Sequence, residues 1–135
     1  MTFFRRLFLP PVRVEARQST ETMAISDPDI IAALQFIRAH IAENINVADV
    51  VRAISVSRRA LERKFRSVVG RSVLQELLRV RIQHTQKLLA TTNLPMPAIA
   101  KLSGFSSGHR LAIVFHRICG MPPTTYRRQS QLGDA

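Results

Sequence analysis

VVRAISVSRRALERKFRSVVG, Val50 to Gly70, is the stretch on which the reading of the whole chain turns. On a helix of about 3.6 residues per turn its second half sorts into two faces. Leu61, Phe65 and Val68 share one side and are expected in a core; Arg59, Glu62, Arg63 and Arg66 fall opposite. Ser57 stands where an N-cap belongs, its hydroxyl able to accept from a free backbone N–H of the first turn. Gly70 stands where a left-handed residue ends a helix. Positive charge is concentrated here: Arg52, Arg58, Arg59, Arg63, Lys64, Arg66 and Arg71 face the single carboxylate of Glu62. Two explanations of that face are open: a solvated surface on which Glu62 pairs with Arg58 and Arg66, or a surface shaped for a polyanion.

The same pattern occurs twice, which decides the fold. Val50, Val51, Ser55 and Val56 recur 49 residues later as Ile99, Ala100, Gly104 and Phe105. Leu61, Phe65 and Gly70 recur 50 residues later as Leu111, Phe115 and Gly120. The offset grows by one between the two groups, where a turn absorbs an extra residue. Each copy reads as a short helix, a tight turn and a second helix: a helix-turn-helix, whose second helix enters the DNA major groove. The spacing predicts copies over about 47–70 and 97–120, joined by a long helix over about 72–91. At 1.5 Å per residue such a helix spans about 27–30 Å, which suits two reading helices about one duplex turn apart.

The flanking segments complete an all-α pattern of about seven helices. Asp27 is a cap, Pro28 fits the first helical position and Asp29 favours the positive helix end. Ile30, Ile31, Leu34, Ile37 and Ile41 make a buried stripe behind them, and Asn46 caps a helix from Val47 to about Ala53. Ser72 with Gln75 forms a capping box at the start of the long helix. Met1 to Thr22 has no helical period; Pro10-Pro11 interrupt it and VRVEAR alternates like a strand edge. Residues 1–25 are therefore expected to be an irregular linker or the remnant of an upstream domain, 26–130 the helical domain, and 131–135 a tail.

Composition points the same way. With 135 residues and 46% hydrophobic content, the chain can bury one or two small cores. A net charge of +11 favours a polyanionic partner, nucleic acid before membrane. Cys119 is the single cysteine, so no disulfide framework arises and a cytoplasmic setting is expected. Four histidines without cysteine or carboxylate at ligand spacing leave no metal site, and no cofactor is implied. Nothing approaches the ~20 apolar residues of a membrane span. The apolar pieces of MTFFRRLFLPP are too short for a signal peptide and at most form a weak surface anchor.

The residues also carry a family resemblance. SRRALERKFRSVVGRS, RIQHTQKLL, IAKLSGFSS and FHRICGMPPTTYRR, in that order and spacing, resemble the DNA-binding domain of the AraC/XylS transcription regulators over about Asp27 to Arg128. The resemblance implies a two-lobed all-α domain, promoter double-stranded DNA bound as a monomeric unit, and contact with RNA polymerase. LPPVRVEARQST before the DP helix is similar to the junction in xylose-responsive activators, which implies activation of a sugar operon under an upstream sensor absent from this chain. No small-molecule ligand is expected in this fragment.

In the first motif, Arg59, Glu62 and Arg63 occupy positions where family members meet base edges; arginine reads guanine bidentately and glutamate can accept from cytosine N4. Glu62 orienting the arginines is the equal alternative. Arg58, Lys64 and Arg66 are placed for phosphate, and Ser57 can cap the helix and donate to a phosphate. In the second motif His109, Ala112, Ile113, His116 and Arg117 face outward, with Leu111, Phe115 and Ile118 inward. His109, Ala112 and Ile113 are the base-reading candidates there; Ser107, Arg110, His116 and Arg117 are the phosphate candidates. Ile113, where the family often has a polar residue, can pack on thymine methyls, face another part of the protein, or mark a motif that reads little sequence. Cys119, corresponding to Val69, is expected in the core, His84 on the surface of the long helix, and Thr85 in its packing. Tyr126 and Arg127 are expected to be structural, with Arg127 or Arg128 available to a phosphate. A convergent nucleophile, base or metal set is absent, so the chain does not read as an enzyme. A nonspecific or architectural nucleic-acid binder explains the charge but not the duplicated motif.

Overall fold

The computed structural model describes residues 26–133, and the expectations for residues 1–25 fall outside it. Seven α-helices and no strand are present among the described residues: α1 Pro28–Ala39, α2 Val47–Ile54, α3 Arg58–Lys64, α4 Val73–Thr91, α5 Met96–Leu102, α6 Gly108–Cys119 and α7 Pro123–Gly133. The chain forms two compact units, one built on α1–α3 and the start of α4, the other on the remainder of α4 with α5–α7.

Local chemistry explains the helix starts. Asp27 accepts from the Asp29 N–H at 2.9 Å with Pro28 just inside. Asn46 and Asp49 exchange side chain-to-backbone bonds at 2.9 Å, a reciprocal box that satisfies two free donors. Ser72 and Gln75 do the same for α4 at 2.8 and 3.1 Å. In the first unit, Ile30, Ala33, Ile37, Val47, Val50, Leu61, Phe65, Val73 and Leu77 form one core, with Ile41 and Leu34 packed at its edge. The second unit buries Leu89, Ile99, Phe105, Leu111, Val114, Phe115 and Ile118. Full burial of each large apolar side chain contributes about 1.5–3 kcal/mol.

The repeat is reproduced in backbone detail. Ser57 and Ser107 cap the second helix of each motif, accepting from Ala60 N–H at 3.1 Å and Arg110 N–H at 3.0 Å. Gly70 and Gly120 end those helices at φ 83° and 77°, where a Cβ would be strained. Each turn opens with a left-handed residue, Gly104 at φ 81° in one motif and Ser55 at φ 62° in the other. Ser106 is the extra turn residue that shifts the offset by one.

The copies diverge at the end of α3. Phe65–Val69 form a π turn, closed by Gly70 N–H on the Phe65 carbonyl at 2.9 Å, five residues back. Gly120 instead bonds His116, four residues back. The wider turn rotates the following side chains by part of a turn. Val68, expected in the core, is therefore 44% exposed, and Val69 packs in its place. In the regular α6, Ile118 keeps the core position and Cys119 lies at the edge, half-buried, with the Gln86 amide on its Sγ at 3.6 Å.

Two polar features of α4 escape the hydrophobic pattern. Glu76 is buried between Arg71 (2.9 Å) and Arg79 (3.1 Å). Thr85 is fully buried as expected, its hydroxyl donating to the Arg81 carbonyl at 2.9 Å. The end of α4 is closed from α7: Arg127 Nε and Gln131 Nε2 each donate to the Leu89 carbonyl at 3.3 Å, and Gln131 also reaches Thr92 O. These bonds explain why α7 runs to Gly133, through residues expected to be tail. They also give Arg127 its structural role, beside a Tyr126 ring set edge-on to Phe115 at 5.5 Å.

Three measurements check this description. Ser55→Gly relieves a left-handed non-glycine residue, and the melting temperature should rise with a net gain of about 0.5–1 kcal/mol; a lower melting temperature would contradict the turn. Glu76→Ala leaves Arg71 and Arg79 facing a buried vacancy and should cost about 3–5 kcal/mol in denaturant unfolding. Burial pushes the Cys119 thiol up to about 12, against the smaller opposing effect of the Gln86 amide. At about pH 8 a thiol reagent should label it far more slowly in native protein than in denaturant, and rapid native labelling would place Cys119 on the surface.

Candidate nucleic-acid interface

The second helix of each motif turns one face to the core and presents the other to solvent. In α3, Leu61 and Phe65 are fully buried, whereas Arg58, Arg59, Arg63 and Arg66 are exposed. In α6, Leu111, Val114, Phe115 and Ile118 are buried, and His109, Arg110, His116 and Arg117 are exposed. Ala112 is half-buried and Ile113 is 39% exposed, so a methyl-bearing patch lies between His109 and His116. The sequence-derived candidates of each motif thus lie on one helix and, with few exceptions, on its outer face.

The exceptions lie in the first motif. Lys64, expected at a phosphate, has its ammonium 2.8 Å from Asp29 Oδ2 and 3.3 Å from Asp27 Oδ2. Those hydrogen bonds hold Lys64 above its ordinary pKa, so it stays fully charged and paired. Glu62 is half-buried; its Oε1 accepts the Val73 N–H at 2.9 Å, at the first residue of α4. Among the described residues it forms no ion pair with Arg58 or Arg66, so the stitched, solvated face is not what the structure contains. Lys64 and Glu62 thus each hold a contact at the flank of α3, half-buried, beside the exposed arginines.

The pairing pattern separates the cations of this stretch by position. Arg52 pairs with Asp49, Lys64 with Asp27 and Asp29, and Arg71 with Glu76. Arg59 and Arg63 on the outer face of α3, Arg58 at its first turn and Arg66 in the π turn that follows are all exposed and have no carboxylate partner among the described residues. Their donors are exposed and unneutralised, so the face carries its full charge toward solvent. Ser57 and Ser107 hydroxyls accept from the helix and keep an O–H to donate. In the second motif the charge is lower, from Arg110 and Arg117 with two histidines.

Sequence reasoning missed the contacts of Lys64 with Asp27 and Asp29, 37 and 35 residues away, because no short-range pattern marks them. The Glu62 contact spans 11 residues and carries no motif either. His84 agrees with its expected bland role: burial and the Lys87 charge hold it below its ordinary pKa. Among the described residues no group of three or more metal-binding side chains occurs, and no helix is long and apolar enough to cross a membrane.

Comparison with known proteins agrees with this geometry. A family model described as a helix-turn-helix domain matches residues 50–129, both motifs included. The xylose operon regulatory protein of Escherichia coli K12 is 32% identical over 123 residues, which is 91% of this chain and 31% of that protein. The chain thus spans about a third of the length of the curated relatives it matches. The C-terminal domain of AraT, a response regulator from Geobacillus stearothermophilus, superposes with a TM-score of 0.74 at 28% identity, covering 76% of this chain and 86% of that one. The DNA-binding domain of AdpA, a global transcriptional factor solved with a target DNA, gives 0.73 at 30% identity over 80% and 96% of the two chains. With two helix-turn-helix motifs, their capped and glycine-ended helices and these relatives, the chain belongs to the AraC/XylS family of helix-turn-helix DNA-binding transcription regulators.

Proposed function

We propose that the chain is the promoter-reading output domain of a sugar-operon activator, binding one double-stranded DNA site as a single molecule. One observation carries the DNA-reading half of this proposal: Arg59 and Arg63 on the outer face of α3, with Arg58 and Arg66 at its two ends, are exposed without a carboxylate partner among the described residues, while Arg52, Lys64 and Arg71 are paired. Unpaired arginines on a rigid helix supply both counterion release and the bidentate geometry that guanine matches. Arg59 and Arg63, one turn apart and opposite Leu61, are the base readers of the first motif. Arg58 and Arg66 grip phosphate at its flanks, with Ser57 donating at the helix start.

The second unit reads with lighter means. His109, Ala112 and Ile113 face the bases, the last two suited to thymine methyls, while Ser107, Arg110, His116 and Arg117 hold the backbone. Each reading helix enters a major-groove segment of its own, in succession along one site. The sugar assignment, xylose in the first instance, is supported by the xylose operon regulator among the relatives. An upstream sensor, contact with RNA polymerase and action in the cytoplasm are part of the same proposal.

Sedimentation with labelled duplex should show one molecule on an asymmetric site of roughly 16–20 base pairs; binding only as a dimer on a palindrome would refute the proposal. Affinity should fall steeply with salt, with a log–log slope of several units if about six phosphates are neutralised. Arg63→Ala should cost roughly 1–3 kcal/mol and relax preference at one base pair, whereas Arg66→Ala should weaken all duplexes alike and lower the slope by about one. Identical behaviour of the two variants on specific and scrambled DNA would show that the reading face is misassigned.

A further inference from the structure

We infer that Glu62 and Lys64 are positioning residues that fix the rotation of α3 about its own axis, so that Arg59 and Arg63 are aimed at base edges. The inference rests on the DNA-reading role proposed for those arginines. At about 100° per residue, Glu62 and Lys64 project roughly 80° to either side of the buried direction set by Leu61 and Phe65. Arg63 then points directly away from the core. One flank is tied by the Glu62 carboxylate to the Val73 N–H at 2.9 Å. The other is tied by the Lys64 ammonium to Asp29 at 2.8 Å and Asp27 at 3.3 Å. Both ties end on the first turn of another helix, α4 on one side and α1 on the other, each set in its own cap.

The apolar anchors alone do not settle this rotation. Leu61 and Phe65 form one narrow row, and apolar attraction is non-directional, so they resist withdrawal from the core more than rolling. A roll of about 10° moves an atom at the roughly 6 Å outer radius of a helix by about 1 Å, twice the ~0.5 Å within which a specific contact must be held. Directional bonds on both flanks oppose a roll in either sense. The helix has few other restraints: α3 is seven residues long and passes directly into a π turn.

The test uses the full chain on its selected site, on single-base variants of that site and on scrambled duplex, across a salt series. Asp27→Asn with Asp29→Asn leaves the α1 cap acceptor and removes both negative charges that hold the Lys64 ammonium, without altering α3. The ratio of specific to scrambled affinity should fall about fivefold or more, with discrimination blurred at the Arg59 and Arg63 base pairs together. Lys64→Met should give the same loss with an unchanged salt slope. Lys64→Asp with Asp29→Lys, which reverses the tie, should recover part of the ratio. Glu62→Ala should blur the same two base pairs, and Glu62→Gln, which keeps an acceptor for Val73, should retain most of the discrimination.

Tighter specific binding by the double Asn variant, or a slope lowered by about one in Lys64→Met, would make Lys64 a phosphate contact and overturn its role. Loss of preference at one separate base pair in Glu62→Ala would make Glu62 a base reader and overturn its role. Should Lys64→Met fail to fold, the double Asn variant decides. A wild-type chain with no preference between specific and scrambled duplex would refute the DNA-reading role itself, and the positioning role with it.

Discussion

Everything the surface does depends on a pair of side chains beneath it: a leucine and, four residues on, a phenylalanine, fully buried under the second helix of each motif. Leu61 with Phe65, and Leu111 with Phe115, commit one side of a short helix to the core. The opposite side is thereby turned to solvent, with Glu62 and Lys64 half-buried at the flanks of α3. An Ala at either phenylalanine would remove a burial of several kcal/mol and the definition of what faces outward. The device occurs twice along the chain, once in each unit.

The chemistry of the two faces is not equivalent. Around α3, carboxylates pair with Arg52, Lys64 and Arg71 and leave Arg58, Arg59, Arg63 and Arg66 exposed and unpaired among the described residues. Four arginines then supply donors in fixed forks suited to phosphate and guanine. The α6 face has half as many arginines, two histidines and an exposed isoleucine. On the proposed reading, discrimination leans on the first unit, and the second adds grip and apolar contacts.

What was legible in the sequence was what local chemistry determines. Asp27, Asn46, Ser57 and Ser72 were readable as caps because a cap needs only itself and a neighbour two or three residues on. Gly70 and Gly120 were readable as stops for the same reason. The repeat then assembled the helices into motifs. The contacts that were not legible depend on distance or on register. Lys64 finds Asp29 across 35 residues, and Gln131 closes the end of α4 across 42. Val68 was assigned to the core by counting α-helical turns, and a single π turn passed that place to Val69. The partners of Glu62 and Lys64 were not legible because a helical wheel gives direction, not the group waiting at the flank.

Selection from random duplexes with the intact chain tests the central claim most directly, since a face built for base edges must choose among sequences. The account predicts enrichment of a single asymmetric motif with guanine-rich information under the first unit and thymine-rich information under the second. An unenriched pool, bound by charge alone, would contradict it.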